Sequence, residues 1–121
     1  MKATELMIGD KVMVKVLSQI PDTYVLHTWT ANDYSRDIQV KPITLTPEIL
    51  EKNGWKRHGI FMDIKADENF NINFSWTDRY GESLFQNGYY MCDCKYVHTL
   101  QHALRLCGLD ELDELADNFK V

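Results

Sequence analysis

The stretch Phe70-Asn71-Ile72-Asn73-Phe74-Ser75-Trp76 alternates apolar and polar side chains without a break. Successive side chains of an extended chain point to opposite faces, so Phe70, Ile72, Phe74 and Trp76 share one face and Asn71, Asn73 and Ser75 the other. The pattern reads as a half-buried antiparallel strand with its apolar face on a core. Upstream, Ile60, Met62 and Ile64 share a face, and Asp67-Glu68-Asn69 makes a turn, which predicts a hairpin. Downstream, Asn87-Gly88 is the preferred type I′ pair and predicts a second hairpin between Leu84-Phe85 and Tyr89-Tyr90-Met91.

Toward the N-terminus, Leu6-Met7-Ile8-Gly9-Asp10 leads into Lys11-Val12-Met13-Val14-Lys15-Val16. Val12, Val14 and Val16 fall on one strand face, with Lys11 and Lys15 opposite. Pro21-Asp22 signals a turn, Tyr24 to Trp29 a second β-rich run, Ala31 to Arg36 a polar loop, and Asp37 to Val40 a third short strand. Thr46-Pro47-Glu48 starts a short helix, with a capping hydroxyl, a proline at the first helical position and an acid near the positive dipole end. Asn53-Gly54 stops it, and Trp55 follows.

The C-terminal third reads as helical. Tyr96, Val97, Leu100, Ala103, Leu104 and Cys107 fall on one side at about 100° per residue. Gly108 ends this helix. A second, from Asp110 to Asn118, turns Leu112, Leu115, Ala116 and Phe119 inward and Glu111, Asp113, Glu114 and Asp117 outward. Strands first and helices last predict an α+β fold. The expected architecture is an antiparallel, small-barrel-like sheet of six or seven short strands, one short internal helix and a C-terminal helical pair.

The 121 residues are expected to form a single domain, 1–121, large enough to bury a core without disulfides or metal. Hydrophobic residues make up 45% and charged residues 26%, which excludes long disorder and fibrous classes. No apolar run approaches the ~20 residues that span a bilayer, so no membrane partner is expected. Met1 to Glu5 carries an early acid and enters no long apolar stretch, so it does not read as a signal peptide, and a cytoplasmic location is expected. The net charge of −5, with no basic cluster longer than Lys56-Arg57-His58, makes nucleic acid an unfavourable partner. The three cysteines, Cys92, Cys94 and Cys107, are an odd number and read as reduced thiols.

Two constellations could carry chemistry. His98 and His102 lie four apart on the predicted helix, so their rings project from one face a turn apart. With Cys92 and Cys94 they supply four zinc-type ligands within eleven residues, Cys92 to His102. Against this, zinc knuckles place two or more residues between paired cysteines, and residue 99 is Thr, so the His-Glu-x-x-His motif is absent. The second constellation is the arc His98, Gln101, His102 and Arg105, opposite the apolar stripe, which reads as solvated surface or as a polar binding face. His27 and His58 are isolated. No Gly-rich phosphate loop and no Gly-x-Ser-x-Gly occurs, which argues against a nucleotide enzyme or a serine hydrolase. Aromatics reach 12%, and Trp29, Trp55 and Tyr89-Tyr90 cannot all be fully buried in so small a core. An exposed aromatic patch would mark a contact surface.

Leu6…Gly9-Asp10…Val12 resembles the way small SH3-like barrels begin. Three longer segments carry another resemblance: Met1-Lys2-Ala3-Thr4-Glu5-Leu6 with Gly9, the run from Pro42 to Gly54 containing Leu45-Thr46-Pro47-Glu48-Ile49-Leu50-Glu51-Lys52-Asn53-Gly54, and Tyr96-Val97-His98-Thr99-Leu100-Gln101. In that order they resemble small uncharacterised proteins of gut anaerobic bacteria and their mobile elements. The resemblance implies a bacterial setting, brings no activity or cofactor with it, and does not include the cysteines. The expected function is a non-enzymatic protein-interaction module, binding a partner protein or a second copy of itself through the His98/Gln101/His102/Arg105 face or exposed aromatics. The alternative is a small zinc-type metal-binding protein using Cys92, Cys94, His98 and His102.

Overall fold

In the computed structural model, which describes residues 5–16, 23–35, 38–59, 61–67, 70–77 and 81–121, the alternating stretch is the central strand of a five-stranded sheet. That sheet is an antiparallel meander of β4 (Lys56–His58), β5 (Phe61–Asp67), β6 (Phe70–Thr77), β7 (Gly81–Gln86) and β8 (Tyr89–Asp93), hydrogen-bonded in sequence order. Met62 faces Phe74, Ile64 faces Ile72, and Phe74 faces Leu84 across neighbouring strands. Asn87 and Gly88 both take positive φ, 49° and 84°, as the type I′ turn between β7 and β8 requires. The expectations resting on Met1 to Thr4, Pro21-Asp22, Arg36-Asp37, Ile60 and Glu68-Asn69 lie outside the described residues.

The N-terminal strands β1 (Lys11–Val16), β2 (Val25–Thr28) and β3 (Ile38–Lys41) form a second antiparallel sheet in the order β2-β1-β3. The fold is α+β, as expected, but the strands among the described residues number eight and divide into two sheets rather than one barrel-like sheet. Each sheet has its own apolar cluster: Leu6, Val12, Val14 and Trp29 bury in the smaller, and Ile72, Phe74 and Leu84 in the larger. Strand β4 had no apolar alternation to reveal it, being three exposed basic residues on a sheet edge. Residues 31–35, read as a loop, form a 3-10 turn that buries Asp33.

Helix α1 (Pro47–Lys52) forms where the capping signals place it. Thr46 Oγ1 accepts from the Ile49 N–H at 3.2 Å. Asn53 then ties α1 to the chain end: its Nδ2 donates to the Ile49 and Lys120 carbonyls, and its Oδ1 accepts from the Lys120 N–H, each at 2.8 Å. The helical pair is α2 (Val97–Leu106) and α3 (Asp110–Asp117). Val97, Leu100, Ala103 and Leu104 of α2 join Leu112 and Ala116 of α3 over the apolar face of the five-stranded sheet. Burying such a leucine contributes about 1.5–3 kcal/mol. The opposite side of α2 meets the start of β1, so this helix stands between the two apolar clusters. Among the described residues no helix is long and apolar enough to cross a membrane.

Candidate functional site

The polar arc of α2 is consumed within the molecule, which corrects its reading as solvated surface. Gln101 is fully buried and His98 is 7% exposed. Gln101 Nε2 donates to the Gly9 carbonyl at 3.0 Å and the Ala116 carbonyl at 2.8 Å, while its Oε1 accepts from the Lys11 N–H at 2.8 Å. One amide thus joins β1, α2 and α3.

Asp10, also fully buried, is the second part of this seam. Its Oδ2 accepts from the Met7 N–H at 2.8 Å and from His102 Nε2 at 2.5 Å, and its Oδ1 accepts from Arg105 at 2.8 Å. Arg105 also reaches Asp117 at 3.4 Å. Burial pushes the Asp10 carboxyl up, but the bonds from His102, the Met7 N–H and Arg105 outweigh it and hold the group below its ordinary value. His98 stacks on Tyr96 at 5.8 Å and meets His102 edge-on at 5.7 Å, and its buried Nδ1 takes no hydrogen bond. Burial holds this imidazole below its ordinary value, against the attraction of Asp10 and Glu5.

The cysteines do not join these histidines in one cluster. Cys94 is fully buried among the main core side chains, and burial pushes its thiol well above the usual range. Cys92 is half-buried against the same core. Among the described residues, no group of three or more His, Cys, Asp and Glu side chains is arranged to hold a metal ion. His27 is tied by its Nε2 to the buried Asp33 at 2.7 Å. Trp29 and Trp55 are both buried, so of the aromatics weighed as a contact surface only Tyr89 and Tyr90 remain outside.

Those two tyrosines open the last strand of the five-stranded sheet. Tyr89 is 79% exposed and Tyr90 58%. Adjacent strand residues point to opposite faces, so the exposure of both marks a strand edge that neither face covers. Tyr90 is held in place, its hydroxyl donating to Asp93 Oδ1 at 2.8 Å and its ring meeting Phe85 edge-on at 5.9 Å. Phe85 in turn meets Phe61 at 6.0 Å, so an aromatic row crosses the sheet face away from the helices. A bulge at Met91 sets the register here: Phe85 faces Tyr90 while Leu84 faces Cys92.

At the other end of that sheet, Gly54, Lys56, His58, Asp63, Ile64 and Asn71 line a cleft of about 440 Å³. Asp63 Oδ2 pairs with His58 Nδ1 at 2.9 Å, and its Oδ1 accepts from Asn73 Nδ2 at 2.5 Å. The sequence held one signal for this cluster, namely that Asp63 and Asn73 share the polar face of the predicted hairpin. His58 had none, because β4 was unseen. No family model, curated protein or solved structure matches the chain.

Proposed function

We propose that the chain is a non-enzymatic protein-interaction module that takes an extended segment of a partner protein along the outer edge of β8. The observation that carries this reading is the exposure of the consecutive Tyr89 and Tyr90 on a terminal strand of the sheet. An added strand would gain main-chain hydrogen bonds, and the tyrosines on either face would give side-chain anchors of the kind that dominate interface energetics. The fixed Tyr90 ring loses little conformational entropy on binding, which favours the role. The resemblance of three ordered segments to small proteins of gut anaerobic bacteria supports a bacterial setting, and three unpaired cysteines fit a reducing cytoplasm.

The test is selection from a displayed random-peptide library, followed by NMR mapping of the best binder. Binders are expected to protect the β8 amides, and Tyr89→Ser with Tyr90→Ser is expected to weaken them at least about tenfold, with the melting temperature nearly unchanged. A second copy can fill the same edge, and would show as a dimer abolished by the same two substitutions. A monomer yielding no binder that maps to β8 defeats the proposal.

A further inference from the structure

The cleft at the β4 end of the sheet carries an inference independent of the β8 edge. Its Asp63 carboxylate is already committed to His58 and Asn73. Two other groups are not. The Lys56 ammonium pairs with no carboxylate among the described residues, and Asn71 Oδ1 is buried without a hydrogen-bond partner. The Asn71 backbone is fixed beside the β7–β8 turn: its N–H donates to Asn87 Oδ1 at 2.8 Å and its carbonyl accepts from the Asn87 N–H at 2.9 Å. A buried acceptor left empty costs about 1–3 kcal/mol, so the site is improved by a molecule that brings a donor.

We infer that this cleft binds a small carboxylic acid that also carries an amino or hydroxyl group. The carboxylate meets Lys56 and the adjacent His58, and the N–H or O–H satisfies Asn71 Oδ1. Asp63 holds the His58 ring for this contact. Gly54 adds no side chain to the wall, and Ile64 offers a short apolar surface for an aliphatic substituent. The volume lies within the ordinary range for small-ligand sites.

The inference is tested by titrating the full ¹⁵N-labelled chain with L-serine, L-glutamate and L-lactate, using acetate (no donor) and ethanolamine (no acid) as controls. At least one of the three acids is expected to give saturable shifts at the Asn71 side-chain amide and at the Lys56 and Asp63 backbone. Acetate and ethanolamine should bind about tenfold more weakly or not at all, and Lys56→Gln should weaken the acid about tenfold. Lys56 is exposed, so this variant keeps the fold. Absence of saturable shifts with all three acids at millimolar concentration overturns the inference, as does acetate binding equally well or Lys56→Gln binding unchanged. None of these results bears on the β8 edge, which lies at the opposite end of the sheet.

Discussion

Gly9 shows how narrowly single positions are determined in the seam. Its φ is +95°, a region that L side chains rarely adopt, and a Cβ there would lie 2.9 Å from Arg105 Nη2. Arg105 has little room to yield, because Asp10 and Asp117 hold it from two sides. Gly9→Ala is therefore expected to cost about 2 kcal/mol, read from urea unfolding. Gln101 is as constrained, by polarity rather than by space. Gln101→Leu keeps the volume but leaves the Lys11 N–H and the Gly9 and Ala116 carbonyls without their partner. A loss of about 3 kcal/mol is expected, together with faster hydrogen exchange at the Lys11 amide. A loss below about 0.5 kcal/mol would mean that water replaces the amide at no penalty.

Among the elements, α2 has two buried sides that differ in chemistry. Its apolar side faces the main core, and its polar side carries a histidine whose charged form burial disfavours. The unfolded chain protonates His98 near its ordinary value of 6.5, before the native state does. Stability therefore falls as pH drops through that value and levels off below the depressed native one. Asp10 is shifted in the same direction, held down by its hydrogen bonds rather than by burial: it contributes above the ordinary carboxylate value of 3.8, and that contribution is lost as pH falls through its lower native value. His98→Phe keeps a flat ring against Tyr96 and removes the first loss. Between about pH 7.5 and about pH 5.5 the urea midpoint of the wild type should fall further than that of the variant. Equal falls would show that His98 does not report on the seam. The same helix shows what periodicity can and cannot reveal. The spacing of Leu100 and Leu104 located the helix and its core side, because apolar residues declare their burial. The polar residues opposite did not declare theirs, since their partners Gly9, Asp10 and Lys11 lie about ninety positions away in the chain. The strands were legible wherever a face was apolar, as in β6, and illegible in β4, where no residue has a buried side chain.

For the whole molecule, the division into two sheets follows from where apolar side chains can gather. The smaller sheet buries only Leu6, Val12, Val14 and Trp29, with Ile38 and Val40 packed beside them. Three strands over so small a cluster gain further support from α2, which holds them through Asp10 and Gln101. The β8 edge and the Lys56 cleft lie on the larger sheet, so substitutions in the seam should leave both intact until the chain unfolds as a whole.

Each cluster also contains its own fluorophore. Trp29 lies wholly within the smaller one, while Trp55 and Trp76 belong to the larger. With Trp55→Phe and Trp76→Phe, the remaining indole emits from the small sheet alone, while circular dichroism follows the entire backbone. Emission and dichroism that change together in urea would show that four buried side chains and a polar seam suffice to make two cores one thermodynamic unit. An earlier red shift of Trp29 would expose the small sheet as a separately detaching flap, opening while the larger sheet keeps its form.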